Sequence, residues 1–216
     1  MRPITISMAP TALDRDGICL AQTPSGAGNL IINGTLASGG VATLGEVTAP
    51  TVYAAGDESG KTFTFTGTDK YGNTITSAAT TGPTAGATVT CATSFKTITQ
   101  VAVSAATGGD VEVGVAGTGI SRAVPMDIHQ NGFSVGLGLD VTGTINATVQ
   151  HTFDDPFSAT FNPYTATWFD HSSIASKTAD TDGNYAYPCR AIRLKVNSSS
   201  GGSAILTIIQ SGIFSG

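Results

Sequence analysis

A chain of 216 residues with 27 Gly, 33 Thr and only 12% charged residues is long enough to bury about 70% of its unfolded surface without disulfide or metal staples. The net charge of −5 is too small to hold such a chain open, and ten scattered Lys and Arg exclude the basic footprint of a nucleic-acid binder. No apolar run approaches the roughly 20 residues of a membrane-spanning helix, so neither nucleic acid nor membrane is an expected partner.

The N-terminal stretch "MRPITISMAPTALDRDG" has Pro and Asp where a secretion signal needs an apolar centre, which predicts synthesis and folding in a cytoplasm. Residues 1–42 contain few strand-forming runs and read as an extended arm. Its apolar residues Ile4, Ile6, Leu30 and Ile31 are the expected partner contacts. Within it, "AGNLIINGTLASGGVATL" predicts a strand at 30–32 followed by a Gly-rich turn.

From residue 43 short alternating runs dominate. "KTFTFTGTDKYGNTITSAAT" reads as two strands around Asp69–Asn73, where Gly72 or Asn73 supplies a positive φ. "FKTITQVAVSAATGGDVEVGV" reads as further strands, with Gly108 and Gly109 closing a hairpin between 101–103 and 111–113. The composition changes near Gly117–Gly119, which marks a boundary. Beyond it "GFSVGLGLDVTG", "TINATVQHTF", "ATWFDHSSI", "YPCRAIRLKVNSS" and "SAILTIIQSG" each read as a strand. In the fourth, Ile192, Leu194 and Val196 face a core, with Arg193 and Lys195 toward water. The expected fold is all-β: two β-sandwich modules, Ig-like or jelly-roll-like, at 43–118 and 119–216, behind the 1–42 arm.

Several stretches imitate catalytic or ligand motifs. "AGDESGKT", residues 55–62, fits the loose phosphate-loop pattern, but a β-branched run follows where a helix must start, and Asp57 and Glu58 would repel the phosphates. Gly132–Gly136 matches the G-x-S-x-G nucleophile elbow around Ser134, and Ser134, Asp155 and His171 stand in hydrolase order. That elbow also requires a following helix. Asp14–Gly17 and Asp180–Asn184 resemble the first half of a calcium loop, yet Ser25 and Ala191 stand where the bidentate Glu belongs. His151 with Asp154 and Asp155, and Asp170 beside His171, read as polar groups at strand ends. Trp168, Phe169 and Tyr164 read either as a sugar platform or as core and interface rings. Cys19, Cys91 and Cys189 are odd in number and widely spaced, which points to buried thiols instead of a disulfide framework or zinc site. No catalytic residue, cofactor or metal ligand is assigned.

The segment "AGDESGKTFTFTGTDKYGNTITSAATTGPTAGATVTCATSFKTITQVAVSA" resembles a module of tailed-bacteriophage virion structural proteins, with its GD-x-SG-x-TF stretch and later F-K-T-I-T strand. The stretches "VQHTFDDPF", "ATWFDHSS" and "YPCRAIRLKVNSSSGGSAILTIIQSG" look like the second half of such proteins. The resemblance implies a non-enzymatic virion protein, with capsid decoration (cement) on the outer shell as the expected station. The major capsid protein and two further copies in a homotrimer are then its expected partners. A tail, neck or fibre component, and a hydrolase of cell-surface polymers, are the alternatives.

Overall fold

The computed structural model describes residues 3–129 and 132–211, and among them every regular element is a β-strand. The protein is all-β, built from antiparallel sheets that pack as β-sandwich modules. The chain divides into two compact units: Thr11–Thr118, and the described residues of Met1–Pro10 with Gly119–Gly216.

The first unit opposes two sheets. One orders the strands Thr88–Thr90, Pro50–Ala54, Val111–Val115 and Asp14–Gln22; the other runs Ala37–Ser38, Val41–Thr48, Phe95–Val103, Thr62–Thr68 and Thr74–Thr76. Alternation in "TFTFTGT" sends Phe63 and Phe65 fully into the core, where they join Ile18, Leu44, Phe95 and Ile98. Burying each such side chain contributes about 1.5–3 kcal/mol before entropy is counted. The outward Thr residues bond across the ladder, Thr68 to Thr97 at 2.7 Å and Thr66 to Thr76 at 3.2 Å. Between these strands Gly72 takes φ +86 and the Asp69 carboxylate accepts the backbone N–H groups of Tyr71 and Asn73, as the turn chemistry predicts.

Two expectations for this unit are corrected. Gly108 and Gly109 do not close a hairpin, because Phe95–Val103 and Val111–Val115 lie in different sheets. Val101, Val103, Val111 and Val113 are all buried in one core, so pairing the two strands edge to edge would have left that core without its second wall. Nor are residues 1–42 an arm. Asp14–Gln22 pairs with Val111–Val115, and Leu30 and Ile32 are buried in the first core.

The glycine crossover is held by Glu58. Its carboxylate, fully buried, accepts the N–H groups of Gly108 at 2.7 Å and Gly109 at 3.1 Å and pairs with the Lys61 ammonium at 2.5 Å. A Cβ on Gly82 would stand 2.3 Å from the Glu58 carbonyl oxygen, so only glycine lets the two backbones approach this closely.

In the second unit two strands, Ser134–Thr152 and Ala191–Ser211, pair along their whole length, and the others attach to them. Ile4–Met8 pairs with residues 204–208, which places Ile6 and Met8 in the second core. The ladder doubles back on itself. Tyr185 sits opposite Val135 at one end, yet its hydroxyl lies 3.0 Å from Nδ1 of His151 near the other. A straight strand would separate Val135 and His151 by about 50 Å. The ladder turns where Gly143 (φ +77), Gly201 (φ +120) and Gly202 (φ +159) occur and the register shifts. The two strands expected on either side of this turn are therefore one, as are the two expected over 191–211.

Replacing Glu58 by Ala strands two backbone donors and a lysine; it is expected to destabilise the first unit by about 3 kcal/mol. Lys61→Met, which leaves the carboxylate bonded to both glycines, should cost less. Denaturant titrations of the two variants check this order.

Candidate functional site

The motif look-alikes are absorbed by structural bonds. At the loose phosphate loop, Lys61 and the Gly108 and Gly109 N–H groups already hold an anion, the Glu58 carboxylate, and residues 62–68 continue as strand. Ser134 begins the strand Ser134–Thr152, with no helix after it. His171 is committed at both nitrogens: Nδ1 accepts the N–H groups of Ser173 and Ile174, which leaves the proton on Nε2 to be donated to the Asn184 carbonyl at 3.1 Å. Asp155 instead faces Arg190 at 3.6 Å. The Ser134, Asp155 and His171 order therefore has no hydrogen-bonded relay behind it. Asp180 accepts the Val141 N–H, and Thr181–Tyr185 is a strand instead of a cation loop. Asp14 accepts the Thr35 hydroxyl within another strand. Among the described residues no cluster of three His, Cys, Asp or Glu has metal-holding geometry. Cys19, Cys91 and Cys189 are buried free thiols, and burial pushes Cys19 and Cys189 up to about 12, which keeps them protonated.

The chemistry that remains exposed is on the segment 153–169 of the second unit. Arg193, expected to face water, is buried under this segment. Its guanidinium lies 4.0 Å from the Trp168 ring centre, donates from Nε to Gln150 at 2.8 Å and from NH1 to the Pro163 carbonyl at 2.6 Å. Trp168 Nε1 donates to the same carbonyl at 3.0 Å, and Gln150 donates on to Asp170. Burial draws the guanidinium down to about 10, opposed by Asp170, so it stays charged at neutral pH. Trp168 is therefore a clamp and not a free platform.

Held this way, residues 155–158 and 162–165 form two turns that frame an open cleft of ≈ 370 Å³. Asp154, Asp155, Ser158, Thr160, Phe161 and Asn162 line it. Around it the segment exposes aromatic rings that a core would normally take, Phe157 at 77% and Tyr164 at 39%. A second group, Phe153, Phe169 and Tyr187, surrounds the His151 ring with centroids 5.3–5.6 Å from it.

His151 is the buried centre of that group, between the Tyr185 and Tyr187 hydroxyls at 3.0 and 3.4 Å. Burial, and secondarily His171, hold its pKa below the ordinary 6.5.

The four expected partner contacts separate. Ile6 and Leu30 are core residues of different units, and Ile4 packs against the second core. Alternation along Ile4–Met8 turns Ile6 inward, and Leu30 is buried just past the short strand Gly28–Asn29, since residues 30–32 do not form the expected strand, so neither offers an adhesive surface. Ile31 is 66% exposed, and Leu20 is exposed as well. The side-chain amide of Gln22 joins the pair by donating to the carbonyls of both Leu20 and Ile31. The cleft on 153–169 escaped sequence reasoning because its residues have no periodicity. The crowding of six aromatics from Phe153 through Phe169 with two Pro and two Asp was the available signal.

Arg193→Met should release the clamp, red-shifting the emission of the single Trp and accelerating amide exchange across 153–168 without unfolding the sheet. For His151, the unfolded chain takes up the proton first as pH falls, so the second unit loses stability below 6.5 until the lower folded pKa is passed, and gains nothing from this group above it. Thermal melts from about pH 5 to 8 should show that decline, and His151→Gln should flatten it. Comparison with models of known protein families and with curated protein sequences gives no match to this chain.

Proposed function

We propose that this protein is a structural component of a tailed-bacteriophage virion, a decoration protein that binds the outer face of the capsid and stabilises the shell by adhesion. The reading rests on the resemblance of residues 55–105 to a virion module and on what that segment does in the fold. Asp57, Glu58, Asp69 and Gly72 of the motif serve turns and backbone donors of the first unit. A motif whose polar residues are consumed by their own scaffold supports a building block better than an active site.

The observation that carries adhesion is the exposure of Leu20 and Ile31, whose backbone carbonyls accept from one side-chain amide, that of Gln22. Large aliphatic groups exposed at a surface gain free energy when a partner covers them. Modest contacts of this kind add up when a symmetric shell repeats them. The major capsid protein is the proposed partner, with copies of the chain joined as a homotrimer. The acidic charge suits an outer face away from packaged DNA.

Cryo-electron microscopy of purified particles, with mass analysis, is the test. Density on the capsid exterior at threefold positions is expected, together with loss of particle binding by a Leu20→Asp, Ile31→Asp double variant that keeps its melting temperature. A dozen or fewer copies at one vertex would assign the chain to the tail or neck instead, and absence from particles would defeat the virion reading.

A further inference from the structure

We propose that the cleft framed by the turns 155–158 and 162–165 is a binding site for a neutral polysaccharide chain. The inference goes beyond the capsid reading and does not depend on it, since it concerns the isolated second unit. A pyranose ring offers flat C–H faces and a rim of hydroxyl groups. It is held where exposed aromatic rings lie beside planar carboxylates, amides and hydroxyls that exchange hydrogen bonds with that rim. This cleft has both parts. Asp154, Asp155 and Asn162 supply the planar groups, Ser158 and Thr160 the hydroxyls, and Phe161 a ring. Phe157 and Tyr164 stand exposed on the two turns that form the walls.

The alternatives fit less well. The lining holds two carboxylates and no cationic side chain, and Arg190, 3.6 Å from Asp155, balances only one of them, which disfavours phosphate, sulfate or a carboxylated sugar. A divalent cation needs more acidic ligands than converge here. A polypeptide partner prefers a dry apolar centre with a polar rim, whereas the interior of this cleft is mostly polar. Its volume of ≈ 370 Å³ lies toward the lower end of ligand clefts, about 300–1,000 Å³.

The cleft is also preorganised. Thr167 N–H is bonded to Asp154 at 2.8 Å, Phe157 N–H to Asp155 at 3.1 Å and Tyr164 N–H to Asn162 at 2.9 Å. Pro163 accepts from both Arg193 and Trp168 beneath the loop. A ligand therefore meets a shaped surface and does not have to order it, which is where weak aromatic and hydroxyl contacts become useful. The same bonds commit the two aspartates to the loop, which argues for holding a sugar and against cleaving one.

Saturation-transfer NMR and isothermal titration on the full chain test the site. The probes are maltohexaose, cellohexaose, chitohexaose and xylohexaose, with a heparin oligosaccharide as the charged control. At least one neutral chain is expected to receive saturation from aromatic protons and to change the emission of Trp168. Phe157→Ala, at a side chain too exposed to matter for folding, should weaken that binding about tenfold, and Thr160→Ala should weaken it further at an unchanged melting temperature. The proposal is overturned if no neutral chain of the panel binds, if only heparin binds, or if binding survives both substitutions. Appearance of new reducing ends would also overturn it, by making the aspartate pair catalytic. So would protection of 153–168 from amide exchange on intact particles without sugar, which would make a protein the occupant.

Discussion

The second unit depends on a ladder too long to remain flat. Residues 134–152 and 191–211 pair continuously, and a sheet of that length with one apolar face can bury it only by folding over. The turn is made where three glycines at positive φ let the register slip, so that Val135 and His151, far apart along the strand, meet through one tyrosine. Every other described strand of this unit attaches to the folded pair. Gly183 shows how closely the layers approach, since a Cβ there would lie 2.8 Å from the His171 ring and 2.9 Å from Ile174.

The first unit solves its crossover with a buried charge. A glycine pair passing between sheets turns two backbone donors toward the buried Glu58 carboxylate, which accepts from both while Lys61 balances it. Neutralising a buried carboxylate with donors and a cation is what a phosphate loop does for its ligand. Here the chain supplies its own anion, and the imitation of a nucleotide motif becomes a structural latch.

Two exposed surfaces carry the proposals made above. The two apolar groups bridged by Gln22 on the first unit and the aromatic cleft on the second are different in chemistry, one aliphatic and the other hydroxyl-rich and ringed.

The all-β class and the boundary near residue 118 were legible in the sequence, because alternation with a period of two and glycine-rich turns are local properties of a strand and its ends. Gly72 and Asp69 could be placed in their turn for the same reason. Which strands share a sheet was decided only by the tertiary structure. Val101–Val103 and Val111–Val113 read as neighbours, yet they face each other across a core, since alternation gives a strand's inward face but not its partner. Ile6 and Leu30, legible as apolar, became core residues and not contacts, because an isolated hydrophobic residue looks the same on a surface and in an interior. The segment 153–169 has no period to read; its shape comes from its own Asp and Asn turn bonds and from the stacking of Trp168 on Arg193, 25 residues away in sequence.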